Sequence, residues 1–264
     1  MKKCSTDVLI VGAGPTGLFL SNLLASHHIK NILIEKNSST VKEPRAVSID
    51  DESLRVIQSL GLINQFINKI SLNCGSYYIS PNGRIFVTIN PSSKLYGFPK
   101  RNSFDQPDLE DLLLKNLLVK YKVNVFFDTK FLNFYQKKDM VCSKVISKKN
   151  KFQINSKFIV GCDGANSILR KLLDIKLLGS SYKEKWLILD LFNSSNKFRH
   201  TQVFCDVRRP CITLPGPRGI RRYEFKLHKS ENEKDCLNFV FIKQLLTQKG
   251  ENDYASIRRK CVYT

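Results

Sequence analysis

No apolar stretch in this sequence approaches the ~20 residues needed to cross a bilayer as a helix, so no helical membrane span is expected. The start, Met1-Lys2-Lys3-Cys4-Ser5-Thr6-Asp7, lacks the apolar core and small-residue cleavage site of a secretory leader, so the chain reads as cytoplasmic. The eight cysteines, Cys4, Cys74, Cys142, Cys162, Cys205, Cys211, Cys236 and Cys261, form no C-x-x-C pair. None stands at metal-ligand spacing with the four histidines, which leaves no metal site to expect. Scattered cysteines of this kind act as small hydrophobes. His27 and His28 fall where the first helix should end and where a cation suits its dipole. No Ser-His-Asp or Cys-His arrangement is legible, so hydrolysis has no support. Repeats and low-complexity linkers are absent too. Acidic residues are scarce: 23 Asp and Glu face 43 Lys and Arg, a net charge of +20. The cations are spread along the chain. Their densest runs are Lys137-Lys138, Lys148-Lys149-Asn150-Lys151 and Arg258-Arg259-Lys260. The first two read as hairpin ends, and aromatic residues are not interleaved with them. Solvated surface is the favoured reading; no nucleic-acid partner is expected.

What remains is a chain of 264 residues with 42% hydrophobic content, enough to build a core as one large domain or two modest ones. It begins with Asp7-Val8-Leu9-Ile10-Val11-Gly12-Ala13-Gly14-Pro15-Thr16-Gly17-Leu18. Val8 to Val11 is the short, mostly β-branched run of a parallel strand buried on both faces. Gly12, Gly14 and Gly17 fit G-x-G-x-x-G: a tight turn, a close backbone approach to a pyrophosphate, and close helix–strand packing. Pro15 suits the first helical position, where a missing N–H costs nothing. The helix start then offers N–H groups and a positive dipole end to phosphate. A second apolar strand, Ile32-Leu33-Ile34, ends in Glu35, eighteen residues after Gly17. An acidic residue there accepts hydrogen bonds from an adenosine ribose.

Further on, Lys36 to Pro44 is a polar loop. Asp51 is expected to cap a helix running through Leu54, Ile57 and Leu60 to a stop at Gly61. A second helical stretch covers Leu62 to Ile70. Tyr77 to Ser80 and Arg84 to Ile89 read as a hairpin around Pro81-Asn82-Gly83. From Gln106 the apolar spacing of Leu109, Leu112, Leu113 and Leu117 predicts a long helix, followed by a strand over Val123 to Phe127. Phe131 to Gln136, Met140 to Ile146 and Lys151 to Ile154 suggest a small antiparallel set. Lys157 to Gly161 reads as a separate buried strand that ends in Cys162-Asp163-Gly164-Ala165-Asn166-Ser167. Asn166 or Ser167 would cap the next helix. Beyond Gly179 the strand-like stretches are Trp186 to Phe192, His200 to Cys205, Cys211 to Leu214 and Arg222 to Leu227, with a helix over Asp235 to Leu246. The fold class expected is α/β: a Rossmann-like dinucleotide-binding domain with an inserted, mainly β domain.

Gly12 to Gly17, Glu35, Arg45-Ala46, Gln106-Pro107-x-Leu109-Glu110 and Gly161-Cys162-Asp163-Gly164-Ala165-Asn166-Ser167 occur in the order seen in single-component flavin monooxygenases of aromatic compounds, and the chain resembles that family. Arg45 to Arg55, Phe204-Cys205-Asp206-x-Arg208-Arg209-Pro210, Leu214-Pro215-Gly216-Pro217 and Arg221-Arg222-Tyr223-Glu224-Phe225 look most like the 3-(3-hydroxyphenyl)propionate hydroxylase branch. The resemblance implies FAD as cofactor, NAD(P)H as cosubstrate and a small phenolic substrate that receives one oxygen atom. It implies a cofactor-binding set of Gly12, Gly14, Pro15, Thr16, Gly17, Glu35, Lys36, Arg45, Gln106, Asp163 and Gly164. Asp163-Gly164 would lie beside the pyrophosphate. It implies an FAD-binding domain over 1–72 and 98–178, and substrate-domain strands over 73–97 and 179–264. Trp186, Phe204 and Tyr223 are candidate substrate walls, and no catalytic side chain is assigned. In the family a further segment with a Gly-Asp-Ala-Ala-His-type motif follows. Ile257 to Thr264 resembles the stretch before it, so the chain reads as the N-terminal part of such an enzyme, one that a second chain would complete. The competing readings are a reductase-like or halogenase-like flavoprotein of the same fold, and an inactive remnant.

Overall fold

The computed structural model describes residues 3–148, 150–252, 254 and 256–263. Met1, Lys2, Lys149 of the second basic run and Thr264 of the final stretch lie outside the described residues. In chain order the elements begin with β1 (Lys3–Val11), α1 (Pro15–Ser26), β2 (Asn31–Ile34), β3 (Ser48–Asp50), α2 (Asp51–Ser59) and α3 (Ile63–Phe66). β4 (Ser76–Ile79), β5 (Ile85–Ile89), β6 (Arg101–Ser103), α4 (Gln106–Asn116) and β7 (Asn124–Phe126) follow. Next come β8 (Thr129–Lys137), β9 (Met140–Ser147), β10 (Asn150–Gly161), α5 (Ile168–Leu172), β11 (Trp186–Leu191) and β12 (Thr201–Phe204). The last are β13 (Cys211–Pro215), β14 (Arg221–Lys226), α6 (Glu233–Cys236), α7 (Phe239–Thr247) and β15 (Ile257–Tyr263). The chain forms two compact units, Met1–Pro44 with Gln106–Gly179, and Arg45–Asp105 with Ser180–Thr264.

The first unit is built on a six-stranded sheet of order β7-β2-β1-β10-β9-β8. β1 pairs in parallel with both β2 and β10, and β2 in parallel with β7. β9 pairs antiparallel with β10 and β8. Val8 to Val11 are buried, as a strand covered on both faces requires. Leu9, Val11, Ile32, Ile34, Phe131, Val145, Ile154 and Leu169 form its core. Each such side chain contributes about 1.5–3 kcal/mol by leaving water. Buried amides join α1 to α4: Asn22 Nδ2 donates to the Leu113 carbonyl at 3.1 Å, and Asn116 Nδ2 donates to Asn22 Oδ1 at 2.8 Å.

The second unit holds a seven-stranded sheet, β15-β11-β14-β13-β12-β4-β5, antiparallel except where β12 meets β4. A two-stranded ribbon, β3 with β6, accompanies it. Its core gathers Leu187, Leu189, Leu191, Tyr223 and Phe225 from the sheet with Ile242, Leu245 and Leu246 from α7.

Several expectations are refined. Residues 45–72 and 98–105 pack with the second unit, because Arg101 donates to Ser76 Oγ and Thr201 Oγ1, and Arg222 donates to the Arg45 carbonyl. Asp50, not Asp51, caps α2, accepting from the Ser53 amide at 2.8 Å. The helix over 235–246 is two, because Asn238 caps α7 through the Val240 amide. The two strands expected over 151–161 are one, β10. His27 and His28 lie just past α1, His28 with a left-handed φ of 61°. The hairpin around Pro81-Asn82-Gly83 forms as read.

Candidate functional site

The glycine turn between β1 and α1 is shaped by steric need. Gly12 has φ 107°, and a Cβ there would stand 2.4 Å from the Cys162 carbonyl oxygen. Its amide donates to the Ile34 carbonyl at 2.8 Å. A Cβ on Gly17 would lie 1.9 Å from the Gly12 carbonyl oxygen, so only glycine lets α1 approach the turn. Gly14 differs. Its φ of −74° suits any residue, and a Cβ would meet nothing within 4 Å. The space in front of Gly14 is open. α1 starts there with Pro15 at its head, no side-chain cap and no acidic residue in its first turn. Such a start presents amide donors and a partial positive charge to an anion. Thr16 is exposed beside it.

Glu35 closes one side. Its Oε2 accepts from the Ala13 amide at 2.9 Å and its Oε1 from the Asn37 amide at 3.0 Å. The carboxylate is thus fixed at the glycine turn with further lone pairs to offer a hydroxyl. Lys36 follows, exposed. The other side is the turn after β10. Asp163 Oδ2 accepts from the Ile168 amide at 2.7 Å and so anchors α5, whose cap is Ser167. Asp163 Oδ1 is buried with no protein partner. An unpaired buried acceptor asks for a donor, and a carboxylate suits a hydroxyl or water there rather than a phosphate oxygen. Gly164 takes φ 78° to complete the turn. Burial, then the Asp163 charge, push the Cys162 thiol above its ordinary range, which keeps it protonated and unreactive at neutral pH.

The structure therefore brings together Gly12, Gly14, Pro15, Gly17, Glu35 and Asp163. Gln106 heads α4, buried, and donates from Nε2 to Glu110 Oε1 at 2.7 Å. Glu110 Oε2 accepts from the Val41 amide at 3.0 Å, tying the loop after Glu35 to α4. Glu110 was not singled out from the sequence as a site residue; the signal was a carboxylate one helical turn beyond Gln106. Arg45 belongs to the second unit. Its side chain is exposed, and its carbonyl accepts from Arg222 Nη1 at 2.7 Å. Arg222 is itself paired with buried Asp190 through Nε at 2.7 Å and Nη2 at 2.9 Å. Of the candidate substrate walls, Tyr223 is core: fully buried, stacked on Phe225, its hydroxyl donating to Glu251 at 3.2 Å. Trp186 and Phe204 are half-buried.

An open helix start flanked by a ribose-ready carboxylate fits the phosphate and ribose end of a dinucleotide. A sequence profile described as an FAD binding domain matches residues 5–258. The chain belongs to the FAD-binding domain family. Among curated relatives, the 3-(3-hydroxy-phenyl)propionate/3-hydroxycinnamic acid hydroxylase of Mycolicibacterium smegmatis is 31% identical over 261 residues, 98% of this chain and 46% of that protein. The enzyme of the same name from Comamonas testosteroni is 32% identical over 261 residues, 98% of this chain and 44% of that protein. This family member thus spans about half the length of the curated relatives it matches. Among solved structures, p-nitrophenol 4-monooxygenase from Pseudomonas putida superposes with a TM-score of 0.85 at 16% identity, covering all of this chain and 68% of that one. Aklavinone-11 hydroxylase, solved with FAD and aklavinone, gives 0.80 at 18%, covering all of this chain and 54% of that one. Both show the same fold.

Proposed function

We propose that the first unit binds the adenosine diphosphate part of FAD, and that the chain is the FAD-binding part of an aromatic hydroxylase using NAD(P)H and oxygen. The carrying observation is the open space at Gly14, in front of an uncapped helix start that two flanking glycines hold against the sheet. In this reading the amides that follow Gly14, together with Pro15, Thr16 and Gly17, cradle the pyrophosphate. Glu35 accepts the adenosine ribose hydroxyls, with Lys36 beside it. Asp163 Oδ1 accepts a hydroxyl of the cofactor, and Gly164 keeps that turn open. Gln106 and Arg45 are further cofactor contacts. When bound, FAD supplies the hydride-accepting and oxygen-activating chemistry. The protein orients it and excludes water. The second unit carries the substrate, a small phenolic acid as the relatives' names suggest, with Trp186 and Phe204 as walls. A cytoplasmic setting follows from the use of NAD(P)H.

Gly14→Val tests the cofactor reading. Its side chain fills space the protein leaves empty, so the fold should stand while FAD is shut out. FAD fluorescence quenching on titration should show binding weakened at least about 100-fold, some 2.7 kcal/mol. Unchanged FAD affinity in a folded Gly14→Val chain would sink the assignment.

A further inference from the structure

The parallel strands of the first unit have two ends. The glycine turn and the Asp163 turn follow the C-terminal ends of β1 and β10. At the opposite end the chain comes into β2 and β7 through two turns. One runs from His27 to Lys30, between α1 and β2, and the other from Leu117 to Val123, between α4 and β7. They are neighbours. β2 and β7 are parallel, with Ile32 opposite Asn124, so Lys30 and Lys122 precede their strands at the same level. α1 also packs against the turn over Leu117–Tyr121.

Each turn closes through a left-handed residue, His28 at φ 61° and Lys122 at φ 53°. α4 runs on into a wide π-type turn, Leu117–Tyr121, in which the Val123 amide donates to the Leu117 carbonyl at 3.0 Å. Leu117 is buried, whereas Leu118 and Val119 are exposed to 47% and 68%. Ile29 of the other turn is exposed to 39%. Around these aliphatic side chains stand Lys30, Lys115, Lys120 and Lys122, all exposed. Lys120 Nζ lies 5.0 Å from the centre of the half-buried Tyr121 ring. Neither turn contains an Asp or Glu. Two carboxylates border them. Asp7, whose amide donates to the Lys30 carbonyl, is paired with Lys157 Nζ at 2.8 Å. Asp111 stands one helical turn before Lys115.

We infer that this end of the first unit docks on an anionic bilayer surface. Ile29, Leu118 and Val119 enter the headgroup layer, and the lysines around them meet lipid phosphates and carboxylates. Apolar side chains ringed by cations fit that interface, where buried apolar area and attraction to anionic lipid add. A nucleic acid backbone would engage the lysines and leave the three aliphatic side chains in water. Among the described residues no helix is long and apolar enough to cross a membrane, so the contact is peripheral. Docking here leaves the glycine turn, at the far end of the strands, clear of lipid. The inference holds whether or not FAD binds.

The test sediments the full 264-residue chain with two kinds of vesicle. One is phosphatidylcholine alone; the other adds about 30% phosphatidylserine. Binding should be at least about tenfold tighter to the anionic vesicles, and should fall at least about tenfold between about 0.05 and 0.5 M salt. Leu118→Ser with Val119→Ser should weaken it at least about tenfold. Lys30→Glu with Lys120→Glu should weaken it at least as much. Val207→Ser removes an apolar side chain exposed to 93% in the second unit and should leave binding unchanged. All these positions are exposed, so thermal melting should match the parent chain. Equal sedimentation with both vesicles, or with neither, would overturn the inference. So would binding that the serine pair leaves intact, because the net charge of +20 alone would then hold the chain to lipid. Binding to a single-stranded oligonucleotide but to neither vesicle would assign the lysines to nucleic acid instead.

Discussion

Gly14 and Gly17 sit three residues apart in one motif, and a methyl group added to either has opposite consequences. At Gly17 the added carbon would stand 1.9 Å from a backbone oxygen, which no side-chain movement relieves. Gly17→Ala is therefore expected to lift α1 off the turn and destabilise the first unit by about 1–3 kcal/mol, as overpacking does. At Gly14 the space is empty, and Gly14→Val should change stability by no more than about 0.5 kcal/mol. Urea unfolding of the two variants side by side checks the contrast. Equal losses would mean that Gly14 also packs against protein. The steric parts of Gly12 and Gly17 were legible in their spacing, because a strand running straight into a helix leaves little choice of backbone path. The anchoring of Asp163 on the Ile168 amide was not legible. It depends on where a side chain turns after the strand, and no periodicity reports that.

At the scale of elements, the sequence misleads where polar residues fall inside a strand. Asn155-Ser156-Lys157 looks like a break between two short strands. In the fold, β10 runs through it: β9 stops pairing at Ser156 while β1 stays paired as far as Gly161. The hairpin strands and the apolar helices were readable, since their pattern is local. Asp190, Arg222 and Arg259 were not, since only register unites them. Asp190 stands opposite Arg222 across β11 and β14, and opposite Arg259 across β11 and β15. Glu224 lies within this group, its Oε1 3.9 Å from Arg222 Nη1. Burial pushes its carboxyl above the ordinary range; Arg222 pulls it down, and Asp190 pushes it further up. A carboxyl raised on folding binds its proton more tightly in the folded state. Its stabilising contribution is present below the ordinary carboxylate range and is lost as pH rises through the raised value. At neutral pH the ionised Glu224 therefore costs stability. Glu224→Gln should raise the urea midpoint at about pH 7 and leave it nearly unchanged at about pH 4. A variant less stable at neutral pH would show that the Arg222 attraction outweighs the burial.

For the whole molecule, the governing fact is proportion: a glycine turn with an open helix start, in a chain matching 46% of the length of the Mycolicibacterium smegmatis relative and 44% of that from Comamonas testosteroni. The groups that would hold FAD in the first unit address its adenosine diphosphate end. Contacts that polypeptide from the other half makes with the flavin end would add to these. Binding free energies on one rigid ligand reinforce each other, because the first set of contacts already meets the cost of immobilising it. The chain alone should therefore bind FAD measurably, and supplying the unmatched half of a relative should tighten that binding at least about tenfold, or 1.4 kcal/mol. Titration of FAD into the chain, and into the chain with that half, measures the difference. ADP competes for the adenosine end alone and should displace FAD from the chain alone more readily than from the pair. Phenol-dependent consumption of NAD(P)H should emerge only in the pair, because in the proposed reading the first unit's contacts address the adenosine end of the cofactor and not its reacting ring. If the chain alone turned over NAD(P)H with a phenolic acid at the rate of the pair, the flavin end would have to be held by these 264 residues, and Asp163, Gln106 and Arg45 would be the first places to look.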